Sequence, residues 1–209
     1  MALTLAAALA LAAQCAPSVA PETLLSVVQV ESRFEPLAIG VNGAPRVAVA
    51  PTSVEDAVAK AAALIAAGRN IDLGLAQINS KNLSWLGLSL AEVFEPCTNL
   101  GAAARILQDG YGRSDAARVG EQAALKTALS YYNTGHPGRG FTNGYVAKVA
   151  SAAERIVPAI GGADLANPAE ASPQAPPEAS PSWDVFGDVR PGRSSFVTTV
   201  SNTTPGGLQ

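Results

Sequence analysis

Apolar residues recur at three- and four-residue intervals over most of the first 160 positions, which predicts a succession of helices. Residues 2–14 are almost wholly Ala and Leu and read as the first helix of a domain. Pro21 and Glu22 suit a first helical turn, and Leu24, Val27, Val28 and Glu31 follow on one face. Pro36 requires that helix to end by about Phe34. Thr52-Ser53-Val54-Glu55 matches a capping box ahead of an Ala-rich helix that Gly68 closes. Ser89-Leu90-Ala91-Glu92 is a second, ahead of a short helix stopped by Pro96. Helical patterning returns over 99–109, 121–132 and 144–157, the last terminated by Pro158. Polar loops rich in Gly and Asn separate these segments at 40–51, 68–82 and 133–143. The expectation is an all-α domain over 1–160 with no internal repeat.

The pattern stops near Ile160. Pro168, Pro173, Pro176, Pro177 and Pro181 stand among Ala, Ser and Glu, with hardly a large apolar residue between them. Such a stretch buries too little surface to offset its ordering entropy, so 161–209 is expected to be a Pro/Ser-rich linker and flexible tail. Trp183, Val185 and Phe186 form one short apolar segment within it.

Composition agrees with helices: 48% of the chain is hydrophobic but only 5% aromatic, and Ala and Leu dominate. A net charge of −3 with scattered Lys and Arg leaves no basic footprint for nucleic acid. The single histidine, His136, rules out a His-rich metal site and lies in a Gly- and Pro-rich loop, so neither metal nor cofactor is expected. No Lys or Arg precedes the N-terminal apolar run, so an export signal is not evident. The run is also too short to span a bilayer. Ala12-Ala13-Gln14-Cys15 only loosely resembles a lipoprotein cleavage site. Cys15 and Cys97 fit no CxxC pattern; they are core thiols in a reducing compartment or can pair in an oxidising one.

Glu31 is the residue out of place. It shares the apolar face of its helix and falls in the last turn. Burial and the negative end of the helix dipole both disfavour its charged form. A carboxyl kept protonated near neutral pH is what a general acid requires. The plainer alternative is a buried Glu paired with Arg33, Arg69 or Arg105.

Three motifs then appear in order: Glu31-Ser32-Arg33-Phe34-Glu35-Pro36, Gly74-Leu75-Ala76-Gln77-Ile78-Asn79 and Tyr132-Asn133-Thr134-Gly135. In order and spacing they resemble the soluble lytic transglycosylases, whose fold is that of goose-type lysozyme. Cys15 to Pro21, Asn79-Ser80-Lys81-Asn82, Pro96-Cys97, Phe141-Thr142-Asn143-Gly144-Tyr145-Val146 and Ser182 to Gly187 are similar to the branch that accompanies type IV secretion and conjugation. The resemblance implies a lysozyme-like all-α domain that cleaves peptidoglycan between N-acetylmuramic acid and N-acetylglucosamine. By that resemblance Glu31 protonates the bridging oxygen. It then takes the proton of the muramoyl C6 hydroxyl, which closes onto C1 as a 1,6-anhydro end. Ser32, Gln77, Asn79 and Asn133 correspond to substrate-binding positions, and Tyr132 to a groove tyrosine that orients the carboxylate.

Glycoside cleavage commonly uses two carboxylates. Glu35, Asp56 and Asp72 are the candidates for a second, but the family needs none because the substrate's own N-acetyl and C6 hydroxyl groups take its part. A hydrolase of lysozyme type and a glycan-binding scaffold without turnover are the competing readings. The resemblance also implies a periplasmic protein that opens the wall locally for a secretion channel, with the tail as its docking element. That compartment favours a Cys15–Cys97 disulfide.

Overall fold

The computed structural model describes residues 1–43 and 48–164. Along the chain run α1 (Leu5–Cys15), α2 (Pro21–Glu31), β1 (Ile39–Val41), α3 (Val54–Ala66), β2 (Ile71–Leu73), β3 (Ile78–Asn79), α4 (Leu83–Leu86), α5 (Pro96–Gly112), α6 (Ala116–Val119), α7 (Glu121–Thr134), α8 (Arg139–Thr142) and α9 (Tyr145–Asp164). The helices dominate, and two single 3₁₀ turns lie at Ser80–Asn82 and Glu92–Phe94.

The core is built round α2. Pro21 opens it without wasting a donor, and every residue from Thr23 to Val28 is buried, so neighbours surround the helix on all sides. α9 lies along it and α1 beside it. Thr4 caps α1 by accepting the Ala7 amide at 3.2 Å. The small side chains of Ala8 and Ala12, both fully buried, let α1 come close to its neighbours. Cys15 at the end of α1 is joined to Cys97 in the first turn of α5 by a disulfide, with the Cα atoms 5.3 Å apart. α5 packs in turn on α7. A Cβ on Gly110 would lie 3.2 Å from the Ala128 backbone, so that contact depends on glycine.

The structure corrects the expected elements at four places. The loops at 40–51 and 68–82 contribute a small antiparallel sheet of order β1-β2-β3, with Gly40 opposite Asp72 and Asp72 opposite Asn79. Strands of two or three residues are too short for a two-residue period to show. Pro96 does end the turn before it, but it also occupies the first position of α5, which runs to Gly112 instead of spanning 99–109. The third loop contains α8. Pro158 sits inside α9 and does not end it. Its ring is exposed, while Ile156 and Ile160 on either side are 6% and 7% exposed. Those anchors offset a cost of about 3 kcal/mol for an interior proline. α9 therefore runs on to Asp164. The rest of the expected linker and tail, with Trp183, Val185 and Phe186, lies outside the described residues.

Candidate active site

Glu31 is the last residue of α2, three residues before the limit that Pro36 sets. The chain then reverses through Arg33 and Phe34, at φ 55° and 66°. Two successive left-handed residues without glycine carry backbone strain. Phe34 is held by burial, and its carbonyl accepts the Leu3 amide at 2.8 Å. The reversal leaves Glu31 partly open to a groove and otherwise enclosed by protein. Tyr145, at the start of α9, donates its hydroxyl to Glu31 Oε1 at 2.6 Å. Burial drives the Glu31 pKa up from 4.5 to about 7; the Tyr145 hydrogen bond opposes the rise and the negative charge of Asp72 adds to it. Arg105 instead donates to the Leu86 carbonyl and Arg69 to that of Asn42, so the arginine-paired alternative is not what the fold builds.

The Gly74–Gln77 segment connects β2 to β3 and forms one wall. Asn99 of α5, fully buried, holds it: its amide donates to the carbonyls of Leu73 and Val93, and its Oδ1 accepts the Ala76 amide at 2.8 Å. Gly74 has φ 75°, and a Cβ there would strike the Asn99 amide, so no other residue fits. Gln77, itself at φ 50°, donates to the carbonyls of Ala38 and Gly74 at 3.1 and 3.0 Å. Its oxygen rests over Gly40, where a Cβ would approach within 2.5 Å. Tyr132 donates its hydroxyl to the Ala76 carbonyl at 2.6 Å. The tyrosine bonded to Glu31 is Tyr145, while the Tyr132 hydroxyl is bonded to the wall.

On β2, Ile71 and Leu73 are buried and Asp72 between them faces the groove. Asn79, its cross-strand neighbour, donates to Asp72 Oδ1 at 2.6 Å, and Asn42 donates to Oδ2 at 2.8 Å. Burial raises the Asp72 pKa and the two amides pull it back.

The groove encloses about 530 Å³ and is lined by Glu31, Asp72, Gln77, Asn79, Tyr132 and Asn133. Trp85, Lys81, Asp109, Arg113 and Tyr131 also line it. Arg105 lies 5.5 Å from the Trp85 ring centre and Arg113 4.3 Å from that of Tyr131, so both aromatics are backed by cations. Ser32 does not line the groove; its hydroxyl turns back toward the Val28 carbonyl at 3.5 Å. His136 is an exposed loop residue whose ring accepts the Gly138 amide. No group of His, Cys, Asp and Glu among the described residues could hold a metal ion. No helix among them is long and apolar enough to cross a membrane. Sequence reasoning assigned no role to Tyr145, Asn42 or Asn99. Tyr145 had a signal, an aromatic opening a helix within the Phe141–Val146 motif; the two asparagines had none, since each acts across the fold.

Residues 8–154 match the family model described as the transglycosylase SLT domain, a span that includes every groove residue named above. The chain belongs to the transglycosylase SLT domain family. It is 38% identical over 209 residues to "Type IV secretion system protein virB1" of Brucella suis biovar 1, covering 94% of this chain and 87% of the relative. It is 41% identical over 182 residues to "Protein virB1" of Agrobacterium fabrum, covering 84% and 69% respectively. No solved structure matches. The family and the relatives make the domain a lytic transglycosylase.

Proposed function

We propose that the protein cleaves the β-1,4 bond between N-acetylmuramic acid and N-acetylglucosamine in peptidoglycan, leaving 1,6-anhydromuramoyl ends, with Glu31 acting first as acid and then as base. The observation that carries this reading is the Glu31 carboxyl in the groove lining, its pKa raised by burial to about 7 and its Oε1 bonded to the Tyr145 hydroxyl. A pKa near the working pH lets one group both give and take a proton within a cycle. Gln77 and Asn79 shape the groove while Tyr132 ties its wall to α7, and the exposed Asn133 is left to meet the glycan. In this scheme Asn133 contributes amide hydrogen bonding to hydroxyl or N-acetyl groups.

The test is digestion of purified sacculi by the wild type and by Glu31→Gln, with the soluble muropeptides identified by mass spectrometry. Wild type should release anhydro-ended fragments and the variant none. Reducing ends would show a hydrolase, and binding to sacculi without release would show a scaffold.

The secretion-system names of the relatives support a place for this activity in the periplasm, where it would open the wall locally for a type IV secretion apparatus. The tail around Trp183, outside the described residues, is the candidate docking element. Deleting residues 165–209 should then leave sacculus digestion intact and impair secretion. Unimpaired secretion would count against the tail's role.

A further inference from the structure

Trp85 and Lys81 line the groove but have no part in the proton transfers assigned to Glu31. α4 is a single turn whose Leu83 and Leu86 are both buried, so Trp85 between them is turned outward and stays 48% exposed. The turn is fastened to α5: Arg105 donates to the Leu86 carbonyl at 2.9 Å, and its guanidinium lies 5.5 Å from the Trp85 ring centre. Leaving so much of an indole in water forgoes the burial that a large aromatic would otherwise gain. The other exposed large apolar side chains among the described residues, Met1, Ile65, Val119 and Phe141, do not line the groove. Lys81 stands four residues before Trp85, on the 3₁₀ turn that runs into α4. Its amide donates to Asn79 Oδ1 at 3.1 Å, which ties it to the end of β3, and its side chain is exposed. The groove lining holds one other cation, Arg113, which is paired with Asp109 at 3.2 Å and lies over the Tyr131 ring. Lys81 enters no ion pair among the described residues.

We propose that Trp85 and Lys81 form a substrate subsite, in which the indole carries a sugar ring of the glycan and the ammonium takes a carboxylate borne on the C3 arm of a muramoyl residue. The proposal rests on the peptidoglycan reading given above and adds what the groove recognises beyond the bond that is cut. The two sugars of the strand share a pyranose ring with an apolar C–H face, which suits a flat aromatic surface. They differ at C3, where N-acetylmuramic acid bears a lactyl ether. That arm ends in a carboxylate, or in an amide that leads on to the carboxylates of a stem peptide. Trp85 thus reads what the sugars have in common, and Lys81 reads what sets the muramoyl residue apart. The division of labour follows from magnitudes: an exposed ion pair adds little affinity and is screened by salt, whereas covering a half-exposed indole adds more. Neither contact touches the reacting atoms. Both are made equally in the ground and transition states, so they lower KM and leave kcat alone.

The experiment uses the full chain with Glu31→Gln, to prevent turnover, and Trp183→Phe, which leaves Trp85 as the only tryptophan. Three soluble probes are titrated by calorimetry and by tryptophan emission: peptide-bearing glycan strands, strands stripped of peptide by an amidase, and N-acetylglucosamine oligomers, which carry no acid. Trp85 emission should shift to the blue with each. Adding Lys81→Gln should weaken binding of acidic strands roughly 2- to 5-fold, an effect erased at about 1 M salt, and leave the neutral oligomers unchanged. An effect on stripped strands assigns the lactyl carboxylate as the ligand, and one confined to peptide-bearing strands assigns the stem; either supports the subsite. In the active enzyme, Trp85→Ala should raise KM on soluble strands roughly 10-fold at constant kcat. Strands that bind by calorimetry while Trp85 emission stays unmoved would overturn the proposal. So would a Lys81→Gln loss equal on acidic and neutral probes, no loss on any, or a Trp85→Ala loss confined to kcat. Reducing ends from the wild type would sink the transglycosylase reading and leave the subsite standing.

Discussion

Position at the end of α2, more than any single partner, sets the chemistry of Glu31. The helix delivers the carboxyl to its own C-terminus, where the dipole is negative, and the surrounding protein desolvates it. Tyr145 works against both effects, since a hydroxyl donated to a carboxylate favours the charged form. Tyr145→Phe should therefore raise the Glu31 pKa further above 7. The reaction starts from the acid form, so the alkaline limb of the pH profile should extend to higher pH. The orienting bond is lost at the same time, and a misaligned donor should cost between about 10- and 100-fold in kcat. Steady-state rates on sacculi across pH 5 to 9 check both effects; a limb moving to lower pH would contradict the assigned roles.

At the scale of elements, the sequence disclosed what repeats and concealed what meets. The long helices were legible because each has its own apolar period and caps, as with the Ser53 hydroxyl accepting the Asp56 amide at the start of α3. Glu31 was legible for the same reason, as a break in such a period. The sheet was not, since its strands are two or three residues long and β1 finds β2 only across 30 or more positions. Asp72 looked like one loop carboxylate among three candidates because Asn42 and Asn79 join it only when the strands align. Asn99 shows the same limit. It is a polar residue in the apolar half of α5, and only the folded loop reveals that its amide serves two carbonyls and its oxygen one amide. The motif Gly74 to Asn79 therefore reads as a substrate-contacting string, while most of its polar groups are spent on building the wall. The resemblance drew attention to Tyr132 because it lies in a motif, whereas the tyrosine that bonds Glu31, Tyr145, is set by where α9 begins.

For the whole molecule, the question is what holds α1 to the domain. Its buried side chains are alanines, which bury little apolar area each, and its capping rests on one threonine. The Cys15–Cys97 bond supplies a covalent hold between residues 82 apart in sequence, with α2, the sheet and Glu31 inside the ring. α7 and α9, which supply Tyr132 and Tyr145, lie outside it. In the chain-entropy account, closing a ring of that size removes unfolded-state freedom worth about 4 kcal/mol. Such a bond persists only in an oxidising compartment, which agrees with a protein whose substrate is the cell wall. Urea unfolding of the oxidised protein against a Cys15→Ser, Cys97→Ser double variant should show a loss of about 4 kcal/mol. At low denaturant the variant should still digest sacculi, because neither cysteine lines the Glu31 groove. A difference under about 1 kcal/mol would mean that α1 is held by packing alone and that the bond does little for the fold.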